Sequence, residues 1–433
     1  MSLAWSAAPE RALARNAATV LTFLGAISAF VISSMTLDRL GVRYDAPGGV
    51  ILQKLHPATY LMLLALIVDA ARRPDPLAYA AALPGRFPGA AFFAVNWVLI
   101  TSYAVLFRRL PAAPLIDSFF CAVAILVLYE GLSEAERAKL RLLLHVVLFV
   151  NACLGIAEFV GHFRLTPFVA GGRPILHDYR STALFGHPLL NAGSTSLYAL
   201  MLFFGGDRAI RPALRFGLLA VQLAALVVFG GRTSLVLTFL AIALGSLRPI
   251  ADVLRGRRFD MRWALVAAFA APAAIAALVA VSLAGGLDPL IQRFTDDRGS
   301  AEARVVIFEL FDAFSLQDIL FGPDPDRLAS LQYTLGIEYG IENGWLGLVF
   351  QYGALMTMTF LLGLLALIYE FWRRSKSYGA VLVFLFLLEA SSSASVSVKS
   401  FAFNHFAILL LVVFDWRVSS DKPSGGSARS PGR

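Results

Sequence analysis

Four short polar stretches stand out in an otherwise apolar chain, and each holds residues able to bind an anion or move a proton. Tyr179-Arg180-Ser181 runs on to Gly186-His187-Pro188. Gly230-Gly231-Arg232-Thr233-Ser234 follows. Arg304 precedes Leu320-Phe321-Gly322-Pro323, and Glu342-Asn343-Gly344-Trp345-Leu346 comes last. Arg180, Arg232 and Arg304 suggest a polyanionic ligand. Guanidinium presents a planar fork of donors that fits phosphate or carboxylate bidentately, and it stays charged in a partly dry site. Each arginine alone has a structural reading, as a loop cap, a snorkelling cation or an ion-pair partner. Arg232 is the most telling, because it interrupts an apolar run and ionisable residues at membrane depth are usually functional. Arg304 lies three, four and seven residues from Ile307, Phe308 and Phe311, on one helical stripe facing the protein.

Glu342 precedes a long apolar segment whose helix N-terminus stabilises a carboxylate. It suits a general base, which must reach the proton that it removes, or a charge that merely helps the helix to start. His187, before Pro188, reads as a local helix cap or as a phosphate ligand, and Asn343 as a substrate contact. Asp324-Pro325-Asp326 fits an Asp-x-Asp metal pattern, but its prolines and the nearby Gly322 favour a turn. Gly230-Gly231-Arg232-Thr233-Ser234 lacks the spacing and the lysine of a phosphate-binding P-loop.

The elements that position these stretches are membrane spans. The 433 residues are 58% hydrophobic and 15% charged, with a mean hydropathy of +0.71. Soluble chains are about a quarter charged. The pattern is that of an all-α polytopic membrane protein. About twelve segments satisfy the need for roughly 20 apolar residues per crossing: 16–35, 52–70, 89–107, 115–132, 140–160, 188–205, 215–230, 233–248, 263–285, 344–369, 379–395 and 401–416. The first run shows no signal-peptide cleavage site. Cys121 and Cys153 fall inside apolar runs and read as embedded side chains rather than a disulfide or metal framework.

Arginine and lysine crowd one set of short loops, among them Arg72, Arg73, Arg86, Arg137, Arg141, Arg373 and Arg374. The positive-inside rule places these loops, and with them both termini, in the cytoplasm. The net charge of +8 is therefore an orientation signal and no sign of nucleic acid. The longer loops, 36–49, 161–187 and 286–343, then lie outside. Residues 1–417 read as one transmembrane domain, with an external loop at about 286–343 that Ile307, Leu310, Phe311 and Phe314 mark as partly helical. Residues 418–433, rich in Ser, Gly and Pro, read as a disordered cytoplasmic tail.

The four stretches, in this order, resemble the bacterial O-antigen ligase and Wzy-type polysaccharide polymerase superfamily. The likeness rests on Arg180 with Gly186-His187-Pro188, on Gly231-Arg232-Thr233, on Arg304 with the 318–323 turn, and on Glu342-Asn343-Gly344-Trp345-Leu346 with Tyr352-Gly353, and it covers about 175–365. It implies a C-type glycosyltransferase architecture in the inner membrane, acting on the periplasmic side without metal or cofactor. The implied donor is a glycan on undecaprenyl diphosphate and the implied acceptor another glycan. A flippase and a chain-length regulator are the implied protein partners. Arg180, Arg232 and Arg304 would meet the diphosphate, where leaving-group charge grows, and the acceptor hydroxyl would need a base. Two departures stand out. The ligases have histidine where this chain has Glu342, and Leu189 or Leu190 stands where the first motif has asparagine, with Asn191 nearby. The first departure points towards a polymerase, with a ligase as the alternative. A transporter of lipid-linked sugars would more often show internal repeats and polar breaks at mid-membrane; here the polar groups crowd one end.

Overall fold

The computed structural model describes residues 7–46, 49–170, 173–175, 180–207, 209–256, 306–337, 340–375 and 378–414. Arg304, Tyr179, the expected span 263–285 and the tail 418–433 lie outside the described residues. The described chain is helical apart from one two-residue hairpin that pairs Val169–Ala170 with Arg173–Pro174.

In chain order the helices are α1 (Ala7–Val31), α2 (Ser34–Arg39), α3 (Pro57–Ala71), α4 (Pro76–Arg86), α5 (Pro88–Leu106), α6 (Ala113–Glu130), α7 (Glu134–Gly161), α8 (Pro188–Phe203), α9 (Pro212–Phe229) and α10 (Arg232–Leu254). After the undescribed segment come α11 (Glu309–Ala313), α12 (Leu316–Phe321), α13 (Pro325–Thr334), α14 (Gly344–Tyr352), α15 (Ala354–Trp372), α16 (Gly379–Ser391) and α17 (Ala402–Val412). Seven of these are long and apolar enough to cross a bilayer, and α3, α16 and α17 are shorter apolar helices. The protein is a polytopic membrane protein.

The helices are apolar on both faces, as lipid requires. On α5, Phe93, Ile100 and Ala104 are buried, yet the opposite face carries exposed Phe92, Val95 and Val98. The buried faces make one core, in which Phe93, Phe119, Phe360 and Phe403 pack with ring centroids 5.1–5.8 Å apart. Small residues allow the closest approaches. A Cβ at Gly89 would stand 2.4 Å from the Ala366 carbonyl, so α5 and α15 touch backbone to backbone.

One expected span is divided. The segment 344–369 breaks between α14 and α15 at Gly353, whose φ of +81° suits glycine alone. A Cβ there would also lie 2.5 Å from the Leu320 carbonyl oxygen, so the break is where the 320–323 turn docks. Helices α11 to α13 form a cap with its own small core. Ile307, Leu310 and Phe314 pack there with Leu328, Ile341 and Phe350, while Phe308 is exposed. Arg108, just past α5, ties the cap down: its guanidinium donates to the carbonyls of Gly322 (2.9 Å), Gln351 (3.2 Å) and Pro323.

Candidate functional site

The cap end of the bundle gathers the polar residues, and its geometry is set from below by helix α7. Glu158, in the last turns of α7, accepts from three backbone amides: Leu165 (2.7 Å), Thr182 (2.8 Å) and Ala183 (2.9 Å). Two turns earlier, Asn151 accepts from the Leu184 amide (3.0 Å) and donates to the side-chain oxygen of Asn191 on α8 (2.9 Å). Asn191 in turn donates to the Thr182 carbonyl at 2.6 Å. Ser181 donates its hydroxyl to Gly155 on α7 (2.6 Å) and its amide to Val228 on α9 (3.3 Å). Buried polar groups of this kind are stable only when every partner is met. Their effect is to fix the 180–187 loop across the ends of α7, α8 and α9.

That loop carries Arg180 and His187 to one aromatic ring. The Arg180 guanidinium lies 5.1 Å from the centre of the Phe168 ring, and the His187 ring meets Phe168 edge-on at 5.3 Å. His187 is the N-cap of α8, its Nδ1 accepting from the Leu189 amide at 3.2 Å. This realises the cap reading.

Arg232 arrives by a different route. Helix α9 ends in a left-handed residue, Gly230 (φ +65°), and α10 begins directly at Arg232. A Cβ on Gly231 would lie 2.5 Å from that of Ala192, so the start of α10 presses on the second turn of α8. Arg180, His187 and Arg232 therefore sit at adjoining element ends. The N-termini of α8 and α10 add their partial positive charge to the same place.

Asn343 is the N-cap of α14, its side-chain oxygen accepting from the amides of Trp345 and Leu346, both at 3.1 Å. Half-buried Glu342 stands between this cap and buried Ile341. The stretch docks on the end of α16: the Trp345 indole donates to the Ser391 hydroxyl at 2.7 Å, and a Cβ on Gly344 would lie 2.9 Å from the Ala390 carbonyl. Asp324 caps α13, accepting from the amides of Asp326 and Arg327 at 3.0 Å, which accounts for the Asp-x-Asp pattern. Among the described residues, no group of His, Cys, Asp and Glu could hold a metal.

Two charged residues at this end escaped the sequence reading. Glu389 lies in the last turn of α16, facing Ser196 and Gly193 of α8 and Ser234 of α10. Its Oε1 is buried without a hydrogen-bond partner. Helix α16 thus touches α8 and α10 through Glu389 and the Glu342 stretch through Ser391. A single carboxylate inside the apolar run 379–395 was the signal. The other is Lys399, in the loop between α16 and α17. Its ammonium lies 3.5 Å from Asp45 and 3.8 Å from Asp117, and it donates to the Tyr44 carbonyl at 3.0 Å. Burial lowers the Lys399 pKa although both aspartates oppose it, and burial raises that of Asp45 against the pull of Lys399.

No family model matches the chain, and no curated protein matches it.

Proposed function

We propose that this chain is a membrane glycosyltransferase of the polysaccharide polymerase type. In this reading the cap end faces the periplasm, the arginine-dense loops and both termini are cytoplasmic, and the membrane is the bacterial inner membrane. The donor is a glycan on undecaprenyl diphosphate, and the acceptor is a sugar hydroxyl of a second glycan.

One observation carries the proposal: the loop that holds Arg180 and His187 and the start of α10 at Arg232 meet the same end of α8 and α9, where two helix N-termini begin. This is a receptor for a diphosphate group, built from bidentate donors and helix dipoles. The reaction needs such a group. The acceptor oxygen attacks the anomeric carbon, the bond from that carbon to the diphosphate oxygen breaks, and the leaving group takes the electron pair. Fixed cations act where that charge develops. The hydroxyl proton goes to Glu342, whose stretch docks on the end of α16 through Trp345. Arg304 belongs to the proposal as a third diphosphate contact. A flippase that delivers the donor and a chain-length regulator are the protein partners that this chemistry calls for.

Glutamate at position 342, in place of the ligases' histidine, favours polymerase over ligase. The glycan phenotype of a deletion strain tests the choice. Accumulated single repeat units support a polymerase. Long chains left unattached to the lipid A-core support a ligase, and unchanged surface glycan contradicts both.

A further inference from the structure

Between the cap and the bundle lies a cleft of about 340 Å³, in the size range of small-ligand pockets. Its walls come from five places. Leu110, Pro111 and Pro114 precede or open α6, Leu328 and Gln332 belong to α13, Gly347, Gln351 and Tyr352 to α14, and Ser397 to Lys399 to the loop before α17. Gly340 and Ile341 complete it, so the cleft opens one residue from Glu342.

Its chemistry differs from that of the arginine group. Arg108 lies behind it, with its donors committed to the backbone carbonyls of Gly322, Pro323 and Gln351. The wall's cation, Lys399, is held beside Asp45 and Asp117 and sits over the Tyr44 ring. A cation so neutralised is a poor anchor for phosphate. What the cleft does offer is two primary amides, Gln332 and Gln351, the hydroxyl of Ser397, and apolar surface from Pro111, Pro114, Ile341 and Tyr352. Amides donate and accept at once, as a hydroxyl requires, and prolines and a tyrosine suit the carbon face of a sugar ring.

We propose that this cleft is a saccharide subsite that holds a hydroxyl-bearing, uncharged sugar ring through Gln332 and Gln351. Resting on the function proposed above, it is the acceptor's subsite: it holds the incoming glycan beside Glu342, apart from the diphosphate.

The test uses the full chain in detergent, titrated with oligosaccharides of one to three repeat units, freed from the host's surface polymer by mild acid and carrying neither lipid nor phosphate. Saturation-transfer NMR reads binding. The parent should bind, and the double variant Gln332→Ala/Gln351→Ala should bind about tenfold more weakly, the loss expected when two hydrogen-bonding groups go. Arg232→Lys should bind the oligosaccharide as the parent does, and inorganic phosphate should not displace it. A parent that does not bind, a double variant that binds like the parent, or displacement by phosphate would each overturn the subsite. Transfer from the lipid-diphosphate donor, measured on the same preparations, separates this from the wider reading. No polymer from the parent would defeat the polymerase proposal whatever the sugar titration gives, and normal polymer from Arg232→Lys would remove Arg232 from the diphosphate site.

Discussion

The two ends of the helix bundle use charge in opposite ways. At the basic end, arginines are matched by nearby acids. Asp69 accepts from Arg72 (2.8 Å) and Arg73 (3.2 Å), Glu370 from Arg373 (3.0 Å) and Arg374 (3.0 Å), and Asp207 from Arg141 (3.3 Å). Four of these five contacts join residues three or four apart along the chain, so most of this charge is matched locally. At the cap end, the buried carboxylate of Glu158 is spent on backbone amides, and Arg180 and Arg232 stand beside an aromatic ring and a helix start. Under the proposed function, the first group of arginines holds the fold and the second serves the ligand.

Substitutions sharpen that contrast, beginning with the largest effect. Glu342→Gln keeps the shape and removes the base, so turnover of purified protein should fall about 100- to 10,000-fold with donor binding little changed. If Glu342 serves only as an N-terminal charge, the loss is about 0.3–1 kcal/mol of stability and turnover is unaffected. Arg232→Lys and Arg180→Lys keep the charge but lose the fork, and each should cost about 100-fold in polymer formed by protein that still inserts normally. At the other end the ranking reverses. Asp69→Asn should lower stability by about 2 kcal/mol, because two arginines and the Tyr79 hydroxyl lose a buried acceptor. Turnover per folded molecule should stay at the parental level. A large fall in turnover from Asp69→Asn would erase the distinction between the two ends.

The smallest effect is a pH dependence. Burial pushes the Asp207 carboxyl up, but His145, the Ala209 amide and Arg141 together hold it below the usual carboxylate range. A depressed folded pKa stabilises the fold above the unfolded value, near 3.8, and the gain is lost as pH falls through the lower folded value. The melting temperatures of the parent and Asp207→Asn should therefore differ at pH 6 and converge below pH 4. A difference that persists at low pH would mean that Asp207 acts through shape rather than charge.

How much of this was legible in the sequence depended on whether a residue's partners lie near it along the chain. The seven helices of membrane length among the described residues were visible because apolar runs need no long-range information. The division of 344–369 at Gly353 was not, because it answers to the Leu320 carbonyl more than thirty positions away. The stripe Ile307, Leu310 and Phe314 was readable from its spacing, although Phe308, placed on the same face, is exposed. Of the expected site residues, Arg180 and His187 share the Phe168 ring, Arg232 opens α10, Arg304 lies outside the described residues, and Asn343 and His187 prove to cap helices. Glu389 was hidden by its apolar neighbours. Lys399 was hidden because its partners Asp45 and Asp117 lie in distant segments.

The most direct test of the central claim is reconstitution. Purified parent protein and the Arg232→Lys variant would be given an undecaprenyl-diphosphate-linked repeat unit, with polymer length and released undecaprenyl diphosphate followed together. The account predicts chains longer than one unit from the parent, with one diphosphate lipid released per bond formed, and about a hundredfold less of both from the variant. Release of neither product by the parent, or equal yields from both proteins, would contradict it.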